Sequence, residues 1–407
     1  MSNSIGFAPE IRREYAEVVP MRDGVRLATD IYLPDGADTF PVIIERTPYD
    51  RRGVSRSEIS IGRRQPFTRV DVAQHFRKLG YAVVMQDVRG RYGSEGRFSK
   101  YVNEAEDGYD TYQWIVNQPW CDGRICSIGL SYGGHTQLAA ACAGAPGLSA
   151  MFLDTGGLLN AFEHSVRCGG AFELKQLTWA YKHAKIYAEQ IGDTEALKHL
   201  QQLDLIASLR DNLWRRGNSP LAAFPAYEDY LLDVWEMDRP SEKWLSPATC
   251  AERWLHNIPD IPIFLLGSWN DPYARSMTLL YQALRDRLTA PLKLVMGPWL
   301  HGRRSDRHAG EADYGPQSTL DHLAGCDFLE LRHRWFDFAL NGGPDFWPAP
   351  VSYYEMGGGS LSITRDDLSV GGRWCQDSSW PPSNSALVVC YPDEEGGLSA
   401  TPPPEHA

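Results

Sequence analysis

The sequence lacks the features that mark membrane proteins, nucleic-acid-binding proteins and secreted proteins. No apolar run reaches 18 residues, so no membrane-spanning helix is predicted. The 40 Lys and Arg against 52 Asp and Glu give a net charge of -12. That charge argues against nucleic acid or an anionic membrane as partner, because both require a basic face. Residues 1–17 lack the apolar segment of a signal peptide, so we expect a cytoplasmic protein.

Cysteine is also used sparingly, with eight residues in 407 and no C-x-x-C pair. Cys126, Cys142 and Cys390 lie in apolar surroundings. Free thiols in a reducing compartment are therefore expected, rather than a disulfide framework or a zinc site. We predict no metal site and no cofactor.

What the chain does have is the composition and length of a globular protein with two or three domains. Its hydrophobic content is 43% and its charged content is 23%. We predict a core in two parts, residues 1–155 and 256–345. A helical insertion over residues 156–255 separates these parts, and a further segment occupies residues 346–407.

Strand and helix signals alternate along the first part of the chain. Two period-2 runs flank Asp23-Gly24, which predicts a β-hairpin over residues 17–33. Apolar strands are predicted at residues 41–46 and 81–87, with amphipathic helices at 71–80 and 104–116. Such alternation indicates a mostly parallel sheet of the α/β class.

The pattern Gly129-Leu130-Ser131-Tyr132-Gly133 lies between a predicted strand and a predicted helix. In that context G-x-S-x-G predicts a nucleophile elbow, a tight turn that raises the serine above the sheet. A Cβ at either Gly129 or Gly133 is expected to collide with neighbouring backbone. The serine of an ordinary Gly-rich turn is the alternative, so the assignment depends on partner residues.

Two partners follow later strands. Asp271 comes after the apolar run 261–267, and His301 comes after the last apolar run, 291–297. The chain order Ser, Asp, His is that of the α/β-hydrolase fold, which we therefore predict for the two core parts. We therefore predict a catalytic triad of Ser131, Asp271 and His301.

Between the two halves, residues 156–255 carry almost no strand signal, and we predict helices at 172–191, 194–216 and 227–235. This position after the nucleophile strand favours a lid over the site. Aromatic residues are frequent here, and most of them are expected to form the core of the insertion itself.

The chain resembles the cocaine esterase and X-prolyl dipeptidyl-peptidase (S15-like) family of serine hydrolases. That family also contains the α-amino-acid ester hydrolases and the glutaryl-cephalosporin acylases. The resemblance runs from about Val25 to the C-terminus. The segments that carry it are residues 21–27 (with Asp30), 46–49, 86–91, 93–96, 103–108, 118–123 (with Trp114), 129–134 and 297–299, the last followed by His301.

The resemblance implies an oxyanion hole made by the Tyr49 hydroxyl and the Tyr132 backbone N–H. The position of Tyr132 after the nucleophile independently supports its role, because that N–H lies at a helix N-terminus. Arg89, Glu95, Glu104 and Asp107 are interpreted as an ion-pair network that braces the site. The family's C-terminal β jelly roll is expected to begin near Pro350, and the fewer than sixty residues that follow cannot complete it.

We expect a serine hydrolase that cleaves a small acyl ester, amide or short peptide through an acyl-enzyme intermediate. The alternatives are X-Pro dipeptidyl-peptidase or α-amino-acid ester hydrolase activity, acyl transfer to an acceptor other than water, and an inactive binding or scaffold protein. An ammonium-binding carboxylate cluster would have to come from insertion acids such as Asp204, Asp211, Glu228 and Asp229. A homodimer remains open.

Overall fold

A ten-stranded sheet forms the centre of the computed structural model, which describes residues 14–211, 214–347, 349–358, 369–392 and 396–402. The strands are β1 (Glu14–Pro20), β2 (Arg26–Tyr32), β3 (Phe40–Thr47), β4 (Ala82–Asp87), β5 (Cys121–Leu130), β6 (Leu148–Asp154), β7 (Ile263–Asn270), β8 (Leu292–Leu300), β9 (Val351–Met356) and β10 (Gly372–Asp377). Two-residue strands pair Arg167–Cys168 with Ala171–Phe172, His308–Ala309 with Ala312–Asp313, and Tyr391–Pro392 with Leu398–Ser399.

The sheet order is β1-β2-β4-β3-β5-β6-β7-β8-β9-β10. The seven strands from β4 to β9 in this order are parallel, whereas β1, β2 and β10 each pair antiparallel with their neighbours. The predicted hairpin is confirmed, with Pro20 opposite Arg26. The mostly parallel sheet agrees with the predicted α/β class.

Helices connect these strands and form the insertion. They are α1 (Arg69–Lys78), α2 (Glu104–Val116), α3 (Tyr132–Cys142), α4 (Lys175–Ile191), α5 (Thr194–Gln202), α6 (Leu205–Arg210), α7 (Pro225–Glu236), α8 (Ala274–Arg285), α9 (Leu320–Ala324) and α10 (Phe328–Asn341). A π-turn spans Phe162–Val166, and 3₁₀ turns span Glu242–Leu245, Ala251–Arg253, Leu255–Asn257 and Pro316–Ser318.

Both faces of the sheet are covered, as the apolar runs of the parallel strands require. Successive side chains of β3 point to opposite faces: Ile44 packs in the cluster with α2, α3 and α8, and Ile43 in the cluster with α1 and α10. Each fully buried side chain of this size contributes about 1.5–3 kcal/mol to stability. The two apolar layers therefore hold the carboxyl ends of the parallel strands in fixed positions.

The segment between β6 and β7 contains α4 to α7 and the paired two-residue strands Arg167–Cys168 and Ala171–Phe172. The single helix expected over residues 194–216 is divided at Leu203 and Asp204 into α5 and α6. The Asp204 side chain accepts hydrogen bonds from the N–H groups of Ile206 and Ala207, so it acts as an N-cap. We call the segment of residues 155–262 the helical insertion.

The C-terminal strands differ from the sequence-based expectation. β9 pairs in parallel with β8, with Leu294 opposite Val351, and β10 pairs antiparallel with β9. The residues predicted to open a jelly-roll domain thus extend the central sheet, and the core continues past residue 346. None of the helices in the described ranges is long and apolar enough to cross a membrane.

Candidate active site

Ser131 occupies the turn between β5 and α3 with φ of +59°, a left-handed value that is uncommon for a residue with a side chain. A Cβ at Gly129 would lie 2.7 Å from the backbone carbon of Gly133. At Gly134 it would lie 2.9 Å from Cα of Gly156. A Cβ at Gly133 would meet its nearest neighbour at 3.7 Å, an ordinary contact. The predicted collision is therefore confirmed at Gly129 and wrong at Gly133. The second crowded position is Gly134.

Tyr132 is the first residue of α3, whose first N–H groups have no partner within the helix. The Tyr132 hydroxyl donates to Glu104 Oε1 at 2.9 Å and accepts from the Tyr101 backbone N–H at 2.8 Å. These two hydrogen bonds hold the side chain in place, and the helix N-terminus with its partial positive charge lies beside Ser131.

Asp271 and His301 lie immediately after β7 and β8, which are parallel neighbours with Asn270 opposite Leu300. Strand pairing therefore brings the two side chains together, and His301 Nδ1 lies 2.6 Å from Asp271 Oδ2. The other carboxylate oxygen accepts from the Tyr273 backbone N–H at 2.8 Å. Burial opposes the charged form of His301, but the hydrogen bond and negative charge of Asp271 outweigh it and raise the pKa of His301 above its ordinary value.

Three predicted site residues line one cavity above the elbow. These are Ser131, Tyr49 and Tyr132, and Tyr273 also lines the cavity. The ring of Tyr273 packs against the His301 ring with 5.5 Å between centroids. The Asp271–His301 pair thus adjoins the cavity through Tyr273.

Tyr49 lines the cavity together with Ser131 and Trp179. Burial raises the pKa of Tyr49, so the phenol keeps its proton near neutral pH. A neutral phenol can donate one hydrogen bond, so the Tyr49 hydroxyl is a candidate donor to a ligand beside Ser131.

The predicted ion-pair residues form separate contacts. Arg89 joins Asp107 at 2.6 Å, and Glu104 joins Arg46 at 3.2 Å in a pair that is almost fully buried. Burial raises the pKa of Glu104 to about 7, although the charge of Arg46 opposes that rise. Glu95 instead pairs with an exposed arginine, Arg26, at the surface.

The sequence did not indicate a further buried pair, Arg304 with Asp154 at 2.7 Å. Asp154 ends β6, and Arg304 lies three residues after His301. Arg304 also donates to the Ser57 carbonyl at 2.8 Å. These contacts attach the loop that carries His301 to the sheet beside the elbow.

Sequence reasoning also missed several cavity residues. Lys100 and Trp179 line the cavity, and the Lys100 Nζ lies 4.0 Å from the centroid of the Trp179 ring. No sequence motif marks Lys100, because only the folded structure shows that it is buried at the cavity. Trp179 is one of many aromatic residues in the insertion, and its position on a helix does not distinguish a cavity residue from a core residue such as Leu177.

The insertion acids do not converge on the cavity. Glu228 accepts a hydrogen bond from the Ser219 hydroxyl, and Asp229 pairs with both Arg97 and Arg216. Asp204 caps α6, and Asp211 is exposed at its C-terminal end. Across the described ranges, no group of three His, Cys, Asp or Glu side chains is arranged to hold a metal ion.

Comparisons with known proteins agree with this architecture. A family model described as X-Pro dipeptidyl-peptidase (S15 family) matches residues 23–303. The cocaine esterase of Rhodococcus sp. (strain MB1 Bresler) is 30% identical over 427 residues, covering 95% of this chain and 71% of that protein. These matches confirm the resemblance seen in the motifs.

Two solved structures share the fold. A CocE/NonD family hydrolase from Staphylococcus aureus has a TM-score of 0.61 at 19% identity, covering 95% of this chain and 59% of its own. An aminopeptidase from the marine sediment archaeon Thaumarchaeota archaeon has a TM-score of 0.64 at 22% identity, covering 99% and 65%. The chain thus spans less than two thirds of either structure. From the family match and the esterase similarity, this chain belongs to the X-Pro dipeptidyl-peptidase (S15) family of hydrolases.

Proposed function

We propose that the protein is a serine hydrolase that cleaves acyl esters or amides through an acyl-enzyme intermediate on Ser131. One observation carries this proposal. Ser131, whose backbone has a left-handed φ, lines a cavity that adjoins the hydrogen-bonded Asp271–His301 pair. A serine hydroxyl is a weak nucleophile at neutral pH and requires an adjacent base. His301 supplies that base, and Asp271 holds its Nδ1 proton.

In the first half of the reaction, neutral His301 accepts the Ser131 proton through Nε2 while Oγ attacks the acyl carbon. The carbonyl oxygen becomes an oxyanion, which receives hydrogen bonds from the Tyr49 hydroxyl and the Tyr132 backbone N–H. His301 then returns the proton to the leaving group as the bond to the acyl carbon breaks. In the second half, His301 activates water, which releases the acid and regenerates Ser131.

The cavity supports an esterase more than an X-Pro dipeptidyl-peptidase or an α-amino-acid ester hydrolase. Both alternatives act on substrates with a free ammonium, which requires acidic partners. None of the described residues that line the cavity is acidic, and Lys100 is among them. The acids of the insertion are occupied elsewhere, as described above.

The proposal is tested by mass spectrometry after incubation with a fluorophosphonate, which phosphonylates an activated serine. We expect one adduct per chain, located on Ser131. The Ser131→Ala variant serves as the matched control and is expected to remain unlabelled and to lose roughly 10⁴-fold or more in kcat on p-nitrophenyl esters. A folded protein that acquires no adduct would contradict the proposal and favour a binding or scaffold role.

A further inference from the structure

The cavity of the nucleophile contains a buried amine. Lys100 is 3% exposed and lines the same cavity as Ser131. Its Nζ lies 4.0 Å from the ring centroid of Trp179, 4.9 Å from that of Tyr101 and 5.1 Å from that of Tyr230. Aromatic faces stabilise a cation, but each contributes only about 0.5–2 kcal/mol. Three rings therefore hold the amine in place without supplying a counter-charge.

Two buried arginines near the site have carboxylate partners: Arg46 pairs with Glu104, and Arg304 with Asp154. Lys100 has no carboxylate partner in the part of the chain that the structure describes, and neither has the buried Arg91, which donates to the Pro48 carbonyl. The hydrogen-bond acceptor of Lys100 is the neutral amide oxygen of Gln176, at 2.8 Å. An ammonium has three N–H donors, so this single bond leaves capacity for a further acceptor. Buried charges are normally paired, so an unpaired Lys100 favours its neutral form until an anionic group enters the cavity.

A second amine lies nearby. The Nζ of Lys175 is shielded from solvent, has no hydrogen-bond partner among the described residues, and lies 4.8 Å from the ring centroid of Tyr273. Burial lowers the pKa of Lys175, although the negative charges of Glu173 and Asp271 oppose that shift. Burial lowers the pKa of Lys100 well below its ordinary value, and the charge of Lys175 lowers it further. An incoming anion would have the opposite effect and favour the protonated form of Lys100.

The cavity also has a defined place in the proposed reaction. It is lined by Ser131, Tyr49 and Tyr132, which in the proposed reaction hold the acyl carbon and its oxyanion. The leaving group lies beside His301, because that residue returns a proton to it. The acyl group therefore occupies the cavity that Lys100 lines.

We infer that the enzyme prefers esters whose acyl group carries a carboxylate, and that Lys100 binds this carboxylate. This inference rests on the proposed function. The substrate class is then a mono-ester of a dicarboxylic acid. Gln176 and the surrounding rings position Lys100, and the substrate supplies the missing counter-charge.

The test compares three p-nitrophenyl esters that differ in the charge of the acyl group: hemisuccinate, pentanoate and β-alaninate. We expect the hemisuccinate to have at least a tenfold higher kcat/KM than the pentanoate, and the β-alaninate to be the poorest substrate. In Lys100→Met, the hemisuccinate-to-pentanoate ratio is expected to fall at least tenfold. The matched control is Lys198→Met, which removes an exposed lysine of α5 and is expected to leave that ratio unchanged.

A second measurement uses the unmodified protein, so it does not depend on the folding of the variant. Succinate is expected to inhibit pentanoate hydrolysis competitively, with an inhibition constant at least tenfold below that of pentanoate. Hydrolysis of all three esters at similar kcat/KM, with equal inhibition by both acids, would overturn the inference and leave the hydrolase intact. Absence of both ester hydrolysis and the fluorophosphonate adduct would instead contradict the proposed function.

Discussion

The sheet core and the helical insertion differ in how far their ion pairs are exposed to solvent. In the core, Arg304 and Asp154 form an ion pair in which each side chain is at most 4% exposed. In the insertion, Arg216 pairs with Asp229 and Asp233, and these three side chains are 35–51% exposed. Loss of one partner in the core leaves an uncompensated buried charge, whereas water screens the remaining charge at the surface. In the proposed reaction the core therefore fixes the reacting groups, while the insertion supplies part of the cavity lining through Trp179.

The largest effect is expected at the core, in Asp271→Asn. This substitution removes the charge that holds His301 in one tautomer, so we expect kcat on p-nitrophenyl esters to fall on the order of 10⁴-fold. The matched control is Asp286→Asn, at an exposed position just after α8, with an expected change of less than twofold. Equal losses of kcat in the two variants would contradict the proposed catalytic role of Asp271.

Asp271→Asn is also expected to change the pH dependence of kcat/KM. The pKa of His301 is raised because the hydrogen bond and charge of Asp271 outweigh the opposing effect of burial. The base must be neutral, so kcat/KM should increase as the pH rises through this pKa, with a midpoint above the ordinary value of about 6.5. In Asp271→Asn the midpoint is expected to move to lower pH. A midpoint that stays in place would show that another group controls this limb.

The next effect concerns stability and compares the two kinds of ion pair directly. Arg304→Met is expected to lower the free energy of unfolding by about 3–5 kcal/mol, because Asp154 remains buried without its partner. Arg216→Met is expected to lower it by about 0–1 kcal/mol. Urea denaturation measures both values. Adding Asp154→Leu to Arg304→Met is expected to recover part of the loss, and similar losses in the two single variants would contradict the comparison.

The smallest effects test the boundary between the two regions, where Trp179 of the insertion and Tyr49 of the core line the same cavity. Tyr49→Phe removes the proposed donor to the oxyanion, so we expect kcat on a neutral ester to fall roughly 10²–10³-fold. Trp179→Phe keeps an aromatic ring at the cavity and leaves the Tyr49 hydroxyl in place, so we expect a loss of at most about tenfold. The matched control is Tyr187→Phe, a hydroxyl deletion on the exposed side of α4. A greater loss in Trp179→Phe than in Tyr49→Phe would assign the donor role to the insertion.

Local patterns predicted the elements that carry the site. The strand, the elbow and the helix around Ser131 follow from glycine, apolar and helix-forming residues within about twenty positions. Asp271 and His301 were found because each follows its own buried strand, and parallel strands end at one edge of the sheet. Their contact could be predicted because neighbouring strands leave few other arrangements.

The sequence by itself thus determined the α/β class, the elbow and the chain order of Ser131, Asp271 and His301, since each depends on short-range periodicity or backbone sterics. Tertiary structure decided that the strand of Val351 joins the central sheet. An apolar strand can pair with any available edge, and the partner of Val351, Leu294, lies 57 positions away in the sequence. It also decided the surroundings of Lys100. A lysine in a sequence does not reveal its surroundings, and Lys100 gains its proposed role only when residues from the helical insertion enclose it.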